Sequence, residues 1–120
     1  MPQTPLVNEH RVRMARYLKR ASAEHEAPIW RRVSEYALKQ SASRRTINIK
    51  DLGSHTREGD VVVFPGKVLG TGAISHGVSL FCFGISESAA SKIRKAGGRI
   101  LDHTGVVSER PTGHEVVLLG

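Results

Sequence analysis

The sequence has a single cysteine, Cys82, among its 120 residues. One thiol forms neither an internal disulfide framework nor a thiolate metal cluster, and such usage suits a reducing cytosol. Long apolar runs are missing too. No stretch approaches the roughly 18 to 20 residues that a membrane helix needs, and Met1 to Ser22 lacks the uninterrupted apolar segment of a signal peptide. The expectation is a soluble protein that does not leave by the usual secretory route. Aromatic residues make up only 5%, so few rings are available to stack on bases. Acid is in deficit: 11 Asp and Glu face 18 Lys and Arg, for a net charge of +7. That excess points to a polyanionic partner, a nucleic acid or an anionic membrane surface.

What is present builds an ordinary core. The 39% hydrophobic and 24% charged residues argue against a wholly disordered chain, and this length fits one domain. Two properties divide the chain at the same place. Residues 1–57 carry 12 Lys/Arg and 5 Asp/Glu, net +7, whereas residues 58–120 carry 6 of each. Eleven of the 12 glycines follow Arg57. The expected organisation is a single α/β domain, with a basic segment of two helices and a loop over 1–57 and a neutral, glycine-rich core of strands and helix over 58–120.

In the basic part, Val7, Met14, Leu18 and Ala21 fall on one face of a helix from about Leu6 to Ala23. Arg13, Arg16 and Arg20 share an arc roughly opposite that stripe, with Glu9 the one acid on it. Pro28 opens a second helix at its first position, where the missing N–H costs nothing. Ile29, Val33 and Ala37 form its buried stripe, and Trp30 beside them is read as core. Arg31, Glu35 and Lys39 repeat every four residues as an ion-paired face, which leaves Arg32 without a local partner. Gln40 to Arg45 is a polar loop in which Arg44 and Arg45, with small hydroxyl residues, suit phosphate binding. Asn48 is expected to cap a short helix from Ile49 to His55, with Lys50 and Arg57 extending the basic surface.

In the neutral part, Val61–Phe64 and Val116–Leu119 are apolar runs of strand length, expected inside a sheet covered on both faces. Pro65-Gly66 is read as a turn that returns Lys67-Val68-Leu69 as a separate strand. Val78 to Phe83 and Arg99 to Leu101 are further strands. Ser86 should cap a helix from Glu87 to Ala96 closed by Gly97, and the helix dipole accounts for Lys92, Arg94 and Lys95 in its last turns.

Tests for catalysis fail. Gly70-Thr71-Gly72 starts a dinucleotide fingerprint that Ser75 breaks, and no phosphate loop of the GxxxxGK[ST] type exists. His25-Glu26 and His114-Glu115 begin zinc-protease patterns that close on Ile29 and Leu118, so neither is a metal site. Cys82 lies in the apolar run Leu80–Phe83, where its thiolate is disfavoured. No GxSxG elbow marks a nucleophilic serine. The expectation is no enzyme, no metal, no cofactor and no small-molecule substrate.

Several segments in order carry a family resemblance: Ala27-Pro28-Ile29-Trp30-Arg31, Ser43-Arg44-Arg45 to Asn48, Gly59-Asp60 with Val61 through Gly70, and Lys92-Ile93 leading to Ala96-Gly97-Gly98. Together they resemble the archaeal and eukaryotic large-subunit ribosomal protein family L-eighteen-e, related to bacterial L-fifteen. The resemblance covers nearly the whole chain, and the short length suits an archaeal-type member. It implies an irregular, repeated β-β-α superhelix-like core and no enzyme activity. It implies a structural, rRNA-binding protein of the cytoplasmic ribosome, with large-subunit rRNA and neighbouring ribosomal proteins as partners and no membrane. Carried over, the family's basic N-terminal segment falls on Arg11, Arg13, Arg16, Lys19, Arg20, Arg31 and Arg32, its basic loop on Arg44 and Arg45, and its glycine-bounded lysine on Lys67. Ser43 replaces a proline common in relatives, and Phe64 a valine. An RNA-binding protein outside the ribosome, or a small enzyme using dispersed Ser, His and Asp groups, is the alternative reading. The charge asymmetry predicts that RNA recognition concentrates in the first 57 residues.

Overall fold

One strand with two apolar faces sets the architecture. The computed structural model describes residues 9–39 and 45–119, and in it Val61 to Phe64 open strand β2 (Val61–Leu69), all four buried. Successive side chains of a strand point to opposite sides. Val61 and Val63 accordingly join a cluster with Met14, Leu18, Trp30 and Phe81, while Val62 and Phe64 join one with Leu52, Leu80 and Ile93. A continuous apolar run is what a strand covered on both faces requires.

Helices supply the two covers. On the first face lie α1 (Glu9–His25), α2 (Pro28–Leu38) and α5 (His103–Glu109); on the second lie α3 (Ile49–Ser54) and α4 (Glu87–Lys95). Between them β1 (Thr46–Asn48), β2, β3 (Ser79–Ile85), β4 (Arg99–Leu101) and β5 (Val116–Leu118) form one sheet in which every pairing is parallel. β2 is central. On one side it pairs with β3, which pairs in turn with β4; on the other, Val61–Val63 pair with β5 and Lys67–Leu69 with β1.

The expected helices form for the expected reasons. Met14, Leu18 and Ala21 are buried on α1; Val7 lies outside the described residues. α2 starts at Pro28 and buries Trp30, Val33 and Ala37, with Ile29 half-buried at its margin. Trp30 is core: it is fully buried, and its Nε1–H donates to the Pro111 carbonyl at 2.8 Å, tying α2 to the chain before β5. Ser86 caps α4 by accepting the Ala89 N–H at 3.2 Å, and Gly97 closes it at φ +88°.

Four expectations are corrected. Pro65-Gly66 does not turn the chain; β2 runs straight through it, with a register shift between Phe64 and Lys67 against β3. A missing N–H and a missing side chain are tolerated at such an irregularity. Gly66 is needed there, because a Cβ would lie 2.6 Å from the Arg45 carbonyl of the neighbouring segment. The second apolar run, Val116–Leu119, is not interior: β5 is an edge strand and its residues are only half-buried. Asn48 stands at the N-cap position of α3 in extended conformation, yet its side chain makes no cap bond. Finally, α5 has no counterpart in the sequence reading, since seven residues with two buried valines show no period. Its start is fixed by Asp102, whose carboxylate accepts the Gly105 N–H at 2.7 Å.

The burial difference between the two runs predicts unequal core costs. Val62→Ala should lose roughly 1 to 4 kcal/mol of stability. Leu118→Ala should lose less despite deleting more atoms, because a half-exposed edge residue gives up less buried area. Denaturant titration of both variants checks the order, and a larger loss at Leu118 would overturn the assignment of β5 to the edge.

Candidate nucleic-acid interface

α1 and α2 pack side by side on the first face of the sheet, and their outer surface carries the cations. Arg16 and Lys19 line an open groove with Ser34 and Leu38 of α2. Arg16, Lys19, Arg20 and Arg32 are exposed and make no ion pair among the described residues. Arg13 lies 3.9 Å from Glu9 and Arg31 3.8 Å from Glu35, both as exposed i,i+4 pairs. Such pairs contribute little and give way readily to a phosphate.

A second cluster surrounds Tyr36. The Arg45 guanidinium lies 5.1 Å from the ring centroid and the Lys39 ammonium 5.4 Å from it, and Arg32 lines the same shallow depression as Tyr36 and Lys39. Arg45 also stands 5.8 Å from the Phe64 ring, and its carbonyl accepts the Lys67 N–H at 2.8 Å. The ring thus attracts two cations through its electron-rich faces. Lys39 belongs to this cluster rather than to the ion-paired row assigned from its four-residue repeat. Neither Tyr36 nor Lys39 is among the RNA-binding residues expected from sequence, although the spacing 32, 36, 39 places all three on one helical face.

Arg11 points the other way. Its guanidinium donates to the Ala37 carbonyl at 3.4 Å and lies 4.6 Å from the Phe83 centroid, and partial burial lowers its pKa. It anchors α1 against α2 and β3. Arg44 and Ser43 lie outside the described residues. Lys50 and Arg57 are exposed on and after α3, which packs on the second face. They do not join the α1–α2 cluster. Lys67 is exposed on β2 immediately past the irregularity.

The cations of the glycine-rich part are employed differently from the sequence expectation. Lys92 does more than complement a helix dipole: its ammonium donates to the Gly70 carbonyl and, at 2.6 Å, to the Gly72 carbonyl, holding the loop after β2. Arg99 pairs with Glu109 and donates to Ser79 Oγ at 3.0 Å, tying β4 to α5 and β3. That arginine lowers the pKa of Glu109.

Among the described residues the one cysteine is not set up as a nucleophile. Cys82 lies in an open depression at the carboxyl ends of β3 and β4, with His10 and His103 along its wall. Burial pushes its thiol pKa up to about 11, which makes it a poor nucleophile at neutral pH. The His103 ring packs edge-on against Tyr17 at 5.1 Å and His10 at 6.2 Å, and its pKa is lowered by burial. No group of three His, Cys, Asp or Glu side chains that could hold a metal occurs among the described residues. No described helix is long and apolar enough to cross a membrane.

The family model described as "Ribosomal proteins 50S-L15, 50S-L18e, 60S-L27A" matches residues 27–101, and the chain belongs to that family. Within it the chain is similar to the large ribosomal subunit protein eL18 of several archaea. It is 36% identical to that of Pyrobaculum aerophilum over 97% of both chains, and 36% identical to that of Archaeoglobus fulgidus over 93% of this chain and 96% of the relative. With the protein of Sulfurisphaera tokodaii the identity is 41%, over 73% of this chain and 75% of the relative. The family is one of ribosomal proteins, and these relatives are proteins of the large ribosomal subunit.

Proposed function

We propose that this chain is a structural constituent of the large ribosomal subunit that binds and stabilises large-subunit rRNA through phosphate contacts, beside neighbouring ribosomal proteins. The observation that carries the reading is the outer surface of α1 and α2, where Arg16, Lys19, Arg20 and Arg32 stand exposed with no ion pair among the described residues. Gathering like charges on one surface is unfavourable for the isolated protein and becomes favourable against a polyanion. Arg13, Arg31, Arg45 and Lys67 extend this footprint, as does Arg44 by sequence, while Lys50 and Arg57, on and after α3, offer RNA-binding cations apart from it. Arg11 serves it indirectly by fixing α1. The chain acts as one domain: the basic residues 1–57 present the charge, and residues 58–120 supply most of the sheet that supports it. The succession β2, β3, α4 supports reading one β-β-α unit of the kind that the family resemblance implies.

Phosphate contacts release counterions, so affinity for structured RNA should fall steeply with salt. If about six phosphates are neutralised, log K should decline against log salt with a slope of magnitude roughly 4 to 5. Filter binding of a large-subunit rRNA transcript across a salt series measures this, and a flat response would overturn the phosphate reading. In a sucrose gradient of lysate the protein should travel with the large subunit. Migration with smaller RNA particles alone would favour an RNA-binding role outside the ribosome.

A further inference from the structure

The loop that follows β2 gathers three lysines from two separate helices. Lys92 of α4 donates to the carbonyls of Gly70 and Gly72, and no carboxylate pairs with it among the described residues. Its charge is therefore held in place at the loop with no carboxylate beside it among the described residues. Lys95, one residue short of a turn further along α4, lines the same open depression with Ala73, Ile74 and Ser75. Lys50 of α3 meets the loop at its backbone and Cβ. Its N–H donates to the Thr71 carbonyl at 3.2 Å, and a Cβ on Gly72 would lie 2.4 Å from Lys50 Cβ. Gly72, at φ +95°, is the residue that permits this approach.

A helix C-terminus explains Lys92 and Lys95, but not why α3 brings Lys50 to the same loop. Lys50 and Lys95 are exposed and without an ion pair among the described residues. Thr71, Gly72, Ala73 and Ser75 are small and nearly all at the surface, so nothing bulky keeps a phosphate backbone from the ammonium groups. This loop belongs to the face covered by α3 and α4, with the sheet between it and the cations of α1 and α2.

We propose that Lys50, Lys92 and Lys95 around the Gly70–Ser75 loop form a second RNA-phosphate site, so that the protein bridges two RNA segments on opposite faces of its sheet. The proposal rests on the rRNA-binding reading above and departs from the expectation that residues 58–120 contribute little to recognition.

The test counts bound RNA. Short mixed-sequence RNA duplexes of about one helical turn are titrated onto the whole protein near physiological salt, and stoichiometry is read by sedimentation velocity. Wild-type protein should bind two duplexes. K50E/K95E should bind one, with at least tenfold weaker uptake of the second, and R16E/R20E should also bind one. Lys92 is left intact because it holds the loop. K50Q/K95Q repeats the test if the reversed variant melts early, and should show the same loss of the second duplex. One duplex on wild type, lost on R16E/R20E, would overturn the second site and leave the first reading standing. Two duplexes on a folded K50E/K95E protein would overturn it as well. Absence of any RNA binding by wild type would overturn both readings together.

Discussion

Changing Arg16, Lys19, Arg20 and Arg32 together to Glu should abolish incorporation of the protein into large subunits while its melting temperature stays nearly unaltered. All four are exposed and none is paired among the described residues, and exposed substitutions usually shift stability by less than about 0.5 kcal/mol each. Each cation that contacts a phosphate contributes roughly 0.7 to 0.9 to the salt slope, so the slope should fall by about 3 to 3.5 at most. Charge reversal adds repulsion to that loss. The corresponding Gln variant should therefore incorporate at an intermediate level. Pulse-labelling followed by gradient fractionation measures incorporation, and circular dichroism confirms the fold. A folded quadruple-Glu protein that still enters large subunits would overturn the assignment of this surface to RNA.

The largest expected loss of stability is at Trp30. The ring is fully buried between α1, α2 and the sheet, and its Nε1–H satisfies the Pro111 carbonyl. Trp30→Ala should cost about 3 to 5 kcal/mol. For a chain of this size that is a fall in melting temperature of about 10 to 25 °C. Trp30→Phe keeps most of the apolar contact but strands the Pro111 carbonyl, so it should cost about 1 to 3 kcal/mol. Thermal melts of both variants separate ring from hydrogen bond. Equal losses would assign the effect to the N–H alone, and an unchanged melt for the Ala variant would remove Trp30 from the core.

How much of this was legible in the sequence depended on the range of each signal. Helices α1 and α2 carry enough turns for a 3.6-residue period to emerge, and end signals such as Pro28 for α2 and Ser86 for α4 act within three residues of themselves. Cys82 in an apolar run could be read as inert, because burial alone raises a thiol's pKa. The polar loop around Arg44 and Arg45 stood out by composition, and Arg45 proved to be held by the Tyr36 ring.

Charge count, amphipathic period and motif order by themselves determined that the chain is a basic α/β protein, that its first 57 residues hold the excess charge, and that it resembles a large-subunit ribosomal family. Pairing decided the rest. Val61–Phe64 and Val116–Leu119 read alike as apolar runs, but only the neighbours each strand acquires make β2 central and β5 an edge. Pro65-Gly66 has the composition of a turn, and parallel partners on both sides carry the strand through it. Lys92 has the position of a dipole-complementing residue, and only the return of the chain at Gly70 and Gly72 gives its ammonium two carbonyls. In each case the deciding contact joins residues far apart in sequence, whose approach is set by burial of apolar surface summed over the whole sheet and not by any local pattern.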